Sequence, residues 1–200
     1  MPKLFSIRPT LSMKGRRFLG LRGFTGKPTH PPLTDFPIVC YVLAAVFDLI
    51  SYFSDAADPK AHDFFAAATF VMVAGYVVGF GAVITGFMDW WKGVPRDKSG
   101  PIGRAKHTQA WRTINFHATV MILATVCTVA DLLQRVPNFD EGQTQPVWLA
   151  LSVASAALVT FGAAYGGTLV FEYGFNVENV KQVWEESEED YVRGEKKGSA

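Results

Sequence analysis

Cysteine is nearly absent from this chain: two in 200 residues, Cys40 and Cys127, and no paired-cysteine metal motif can be built from them. Cys40 falls near the start of one apolar segment and Cys127 near the end of another, so they are expected at opposite depths and not to form a disulfide. Also missing are a glycine-rich phosphate loop, a nucleophile elbow and a zinc-protease motif. No catalytic residue is therefore assigned, and an enzyme is not the expected class. The N-terminus has no continuous apolar core, so a cleaved signal is not expected. Arg16-Arg17-Phe18-Leu19 has the letters of a twin-arginine export signal but lacks the apolar run that should follow.

Charge is the next absence, and it is local. Phe64–Met88 and Val147–Phe171 contain no charged residue, Thr113–Leu133 contains only His117 and Asp131, and Phe36–Phe53 only Asp48. Each segment can cross about 30 Å of hydrocarbon at about 1.5 Å per residue. The expected fold is an all-α integral membrane four-helix bundle, with helices near 36–53, 64–91, 111–133 and 147–171. It is preceded by a basic interfacial segment (1–35) and followed by an acidic tail (172–200).

The formal net charge of +1 hides an asymmetry. Residues 1–27 carry seven cations and no acid, and the second link sets Lys92, Arg96, Lys98, Arg104, Lys106 and Arg112 against Asp97. The first link instead offers Asp55, Asp58 and Asp63 against Lys60, and the third Asp140 and Glu141 against Arg135. Positive charge stays inside, so both termini and the second link are expected in the cytoplasm, with the chain multi-pass in the membrane. Topology is then a sufficient reason for the basic segments, and nucleic acid is not an expected partner. The lipid bilayer is; other membrane subunits or a second copy of the chain are the protein partners to look for. Trp90, Trp91, Trp111 and Trp148 stand at segment ends, where an aromatic belt is expected.

Residues 1–26 mix cations with Phe5, Phe18, Leu19, Leu21 and Phe24, which suits either a helix lying on an anionic leaflet or a disordered tail. From Glu172 to Ala200, eight acids face four bases, a solvated tail in which Asn176–Trp184 can form a short interfacial helix. The prolines of Gly26–Ile38 predict an extended lead-in, with the first helix starting at Pro37. Gly75–Gly79 and Gly162–Gly166 are G-x-x-x-G pairs, predicting close packing of helices two and four or a dimer contact.

Three histidines group by topology. His30 precedes helix one, while His107 and His117 belong to helix three or its entry, and both helices run outward. His107 and His117 differ by about 15 Å in depth and about 80° in azimuth, so one flat cofactor cannot take both. Membrane bundles hold haem through histidines from different helices, which makes His30 with His107, or His30 with His117, the candidate ligand pair for haem b in an electron-transfer subunit. Against this stands a cofactor-free accessory subunit of a larger membrane complex, in which His107 is solvated among headgroups and His30 braces the proline turn. A proton path through Asp48, His117 and Asp131 is a third possibility, narrowed by the charge-free helices. Asp89 is expected at the level of His30, where it can orient an imidazole. Asn115 can hydrogen-bond a neighbouring helix. Asp131, near a helix end, can reach water, whereas Asp48 needs a partner; the two can flank one outward-facing site. His62 lies in the acidic link, solvent-exposed.

Gly26-x-Pro-x-His30-Pro-x-Leu33-x-x-Phe36-Pro-Ile38, Asp48, Thr85-Gly86-x-x-Asp89, His107 and Gly166-Gly167-x-Leu169-Val170-x-x-x-Gly174-x-x-Val177 together resemble the bacterial four-helix membrane family known as domain of unknown function 2231, over about residues 26–177. Members often have histidine where this chain has Lys27, Asp35 and Tyr173, so the resemblance does not extend to a two-haem site. Some members are joined to or encoded near Rieske-type iron–sulfur proteins, which implies electron transfer.

Overall fold

The computed structural model describes residues 28–93 and 109–177. The basic segment before residue 28, the second link with His107, and the tail with its Asn176–Trp184 helix lie partly or wholly outside the described residues. The bundle comprises α1 (His30–Phe53), α2 (Pro59–Gly93), α3 (Gln109–Arg135) and α4 (Pro146–Phe171). A single 3₁₀ turn at Phe139–Glu141 interrupts the link from α3 to α4. All four helices are long and apolar enough to cross a membrane. Their outer faces carry large apolar side chains such as Phe70, Val77, Phe80 and Leu133, as lipid contact requires.

Helix α1 begins at His30, not at Pro37. Pro31 and Pro32 occupy its first turn, where a backbone N–H has no intrahelical partner to lose. Pro37 lies inside the helix, buried, and its ring packs opposite Gly79 of α2, 3.4 Å from where a Cβ would be. A neighbouring helix with no side chain at that point lets the proline-bearing turn persist. Helix α2 likewise begins earlier than its apolar run, at Pro59, and α3 extends through Arg135.

α1 packs on α2 and α4, while α3 packs on α4 and more sparsely on α2. Helices α1 and α3 therefore stand on one diagonal and run the same way. The glycines pair neighbours within hairpins. A Cβ at Gly75 would lie 2.6 Å from Cys40 Cβ, and one at Gly162 would lie 2.5 Å from Met121 Sδ. So α2 closes on α1 and α4 on α3, correcting the expected contact between α2 and α4. The reason is that hairpin neighbours are antiparallel and joined by a short turn, which brings their small residues together first. The molecule is two tightly packed hairpins, α1/α2 and α3/α4, with a looser seam where α2 faces α3.

The end holding the two short connections is closed by polar groups. Gln143 Nε2 donates to the carbonyls of Ser51, Tyr52 and Ser54 at 3.1, 3.2 and 2.9 Å, satisfying the C-terminus of α1. The Thr144 amide donates to Ser51 Oγ at 3.0 Å, and Ser51 Oγ donates to the Ala61 carbonyl at 2.7 Å. Trp148 is not an interfacial belt residue: it is 4% exposed and stacks on Phe65, with ring centroids 5.4 Å apart. Trp91 does face outward, and His62 is exposed beside Phe139.

Gly75→Ala should separate α1 from α2 and lower stability by about 1–3 kcal/mol. Gly81→Ala, where the nearest atom to a new Cβ is 3.7 Å away, should be neutral or slightly stabilising. Denaturant titrations of both variants in detergent measure the contrast.

Candidate functional site

Because α1 starts at His30 itself, this histidine is carried inside the bundle rather than on an extended lead-in. There it meets His117 of α3 across the diagonal, with ring centroids 6.5 Å apart and planes at 83°. His30 Nδ1 lies 2.9 Å from the Ala82 carbonyl of α2, and His117 Nδ1 lies 2.8 Å from the Gly162 carbonyl of α4. A carbonyl only accepts, so each Nδ1 carries the proton and each Nε2 keeps its lone pair. A backbone carbonyl, and not the carboxylate of Asp89, orients His30.

The two halves of the site repeat one pattern. Four residues after each carbonyl, on the same helix face, stands a glycine against the imidazole it orients. A Cβ at Gly86 would lie 2.6 Å from His30 Cε1, and one at Gly166 would lie 3.3 Å from His117 Cε1. The correspondence runs up both helices. Cys40 stands ten residues after His30 and Cys127 ten after His117; Asp48 stands eighteen after His30 and Arg135 eighteen after His117. Eighteen residues are five turns, so each helix returns to the same face about 27 Å along. At that height Asp48 and Arg135 form an ion pair at 2.7 Å. The hairpins are thus related as parallel repeats about an axis along the bundle, of the kind membrane transporters show. The histidines meet near one end of that axis and the ion pair near the other. The cysteines consequently share one level instead of opposite depths, and both are free thiols.

Asp89 is buried one turn beyond Gly86 on α2. Asn115 accepts a hydrogen bond from Trp90 Nε1 at 3.3 Å and donates to the Trp111 carbonyl at 2.7 Å, tying α2 to α3 beside the histidines. Asp48 and Asp131 do come together, but not as an outward-facing pair. Both are fully buried around Arg135. Asp131 therefore does not reach water: the last turn of α3 continues through Arg135, whose guanidinium covers it. Arg135 is the residue that sequence reasoning missed, being counted as a link charge; its i+4 spacing from Asp131 was the available signal.

Among the described residues no group of three or more histidine, cysteine or acidic side chains can enclose a metal ion. Two imidazoles alone fit a metal whose remaining positions are filled by another ligand. A metal–nitrogen bond of about 2 Å, plus about 1 Å from each nitrogen to its ring centre, separates two ring centroids by roughly 6 Å. The ring centroids stand 6.5 Å apart, a separation of that order. Haem iron takes such a pair, and donation from Nδ1 to a carbonyl is the usual support for a ligating imidazole.

A family model described as predicted membrane protein (DUF2231) matches residues 26–179. No curated protein and no solved structure matches the chain.

Nitrogen-15 NMR of histidine-labelled protein should find His30 and His117 in the Nδ1–H tautomer. Gly86→Ala should abolish that signature for His30, whereas Gly166→Ala, with 3.3 Å of clearance, should perturb His117 only mildly.

Proposed function

The chain belongs to the DUF2231 family of predicted membrane proteins, and we propose that it is a haem b-binding electron-transfer subunit whose axial ligands are His30 and His117. One observation carries the reading: two hairpins each present one imidazole to the other, on diagonal helices, at a separation suited to a single metal. Of the two alternatives for the partner of His30, this reading takes His117, because the earlier start of α1 brings His30 beside it; His107 lies outside the described residues.

Haem b, when bound, supplies reversible one-electron exchange at its iron. The chain's own residues do the remainder. The Ala82 and Gly162 carbonyls hold both rings against rotation and make each Nε2 a better donor. Gly86 lets helix backbone approach His30 where any side chain would displace the ring, and Gly166 lets it lie close against His117. The sparse α2–α3 contact leaves the seam between hairpins as the place where a flat group can enter without breaking either tight pair, giving up the Trp90–Asn115 hydrogen bond that spans it. Apolar outer faces keep bulk water away from the site.

Positive charge before α1 and in the second link supports an orientation with the histidine end toward the cytoplasm of a bacterial inner membrane. An electron-transfer subunit so placed needs a redox partner, a second membrane subunit or another copy of the chain, at that end.

Visible absorption of detergent-purified protein, expressed with haem supplied and compared before and after dithionite, tests the reading. A sharp reduced α-band at about one haem per chain should appear. It should be lost in His30→Ala and His117→Ala and kept in His107→Ala. A featureless spectrum from folded protein would overturn the proposal in favour of a cofactor-free accessory subunit.

A further inference from the structure

At the end of the bundle remote from the histidines, Arg135 is fully buried and every N–H of its guanidinium has an acceptor. Nη1 donates to Asp48 Oδ1 at 2.9 Å and to Thr69 Oγ1 at 3.4 Å; Nη2 donates to Asp48 Oδ2 at 2.7 Å and to Asp131 Oδ2 at 3.2 Å. Nε donates to Asp131 Oδ1 at 3.1 Å. The Phe65 ring covers the guanidinium, with its central carbon 5.5 Å from the ring centroid. Both carboxylates are 0% exposed.

One cation therefore faces two carboxylates with no water contact, and with both ionised the cluster would hold an uncompensated negative charge. Among the described residues no further buried cation stands beside it. On α1 the neighbours are Asp48 itself and Ser51. On α2 they are Phe65 and Thr69, while Lys60, His62 and Asp63 are exposed at the helix start. The α3–α4 link contributes Thr144, with Asp140 exposed on its 3₁₀ turn. On α4, Trp148 stacks on Phe65, and that half of the helix has no ionisable side chain. An uncompensated charge in such a place is penalised by several kcal/mol, and a carboxylate removes the penalty by taking a proton.

We infer that the Asp48–Arg135–Asp131 cluster is a proton-binding site, holding one proton on Asp131 while Asp48 stays ionised. The hydrogen bonds decide which carboxylate takes it. Asp48 accepts three, two from separate guanidinium nitrogens and one from Thr144 Oγ1 at 2.8 Å, all stabilising its anion. Asp131 accepts only two, both from Arg135 and both longer. Uptake converts Asp131 carboxylate and one proton to the neutral acid, leaving a balanced Arg135–Asp48 pair. This inference does not depend on haem.

Infrared difference spectroscopy of the purified full chain in light and heavy water tests it. The expected result is a carbonyl band of one protonated carboxyl per chain at neutral pH, shifted in heavy water and lost in Asp131→Asn. Asparagine mimics the neutral acid, so Asp131→Asn should also melt with the wild-type protein, whereas Asp48→Asn should melt lower or fail to fold. Absence of the band from folded wild-type protein would overturn the inference. So would a band retained in Asp131→Asn, or a melting temperature that depends on added sodium or potassium, since a metal cation would then be supplying the missing charge.

Discussion

A guanidinium with all its N–H groups satisfied inside a membrane bundle fixes what surrounds it. Arg135 binds α3 to itself through Asp131, to α1 through Asp48 and to α2 through Thr69, while Thr144 closes the cluster from the α3–α4 link. Lipid gives helices no hydrophobic reason to associate, because tails are as apolar as leucine. Geometry must come from polar groups that have no alternative partner and from close backbone approach. At this end of the bundle the first dominates, and removing Arg135 or Asp48 strands the other's buried charge.

Along the rest of the bundle the second dominates. Glycines on α2 and α4 let each hairpin close, and the same device recurs at Gly86 and Gly166 where the neighbour is an imidazole. Close packing and site formation are therefore one structural event. The hairpins contribute equivalent parts, a ring and the carbonyl that orients it, so the site exists only where the two hairpins meet. A bundle built this way places chemistry on its axis at both ends, with imidazoles at one and an ionic cluster about 27 Å away at the other.

The two ends differ in how their polar atoms are used. In the ionic cluster every guanidinium N–H is committed, and little remains for a ligand larger than a proton. In the histidine pair each ring has one nitrogen committed to a carbonyl and one with a lone pair. The histidine end therefore keeps ring nitrogens free of hydrogen bonds to the backbone, and the other end is a structural clasp whose donors are all in use.

Hydropathy alone determined the fold class: apolar stretches of this length with at most one acidic residue each have few destinations besides a membrane, and four of them joined by polar links make a bundle. The family resemblance, carried by the proline-rich entry and the glycine pairs, was legible for the same reason that local motifs are: it needs no knowledge of contacts. His30 with His117 could be named from sequence as one of two pairings, with His107 the other partner, but the choice hung on whether α1 begins at His30 or at Pro37. Proline forbids a helix interior in isolation, but Pro31 and Pro32 fit a first turn and Pro37 is accommodated against Gly79. Arg135 read as a link charge for the same reason. Its burial depends on Asp48, eighty-seven residues earlier, and on where α3 ends. Sequence determined which segments enter the membrane, since that follows from each segment's own transfer energy. Tertiary structure decided which polar groups meet there, since a buried charge or imidazole is defined by partners that lie on other helices.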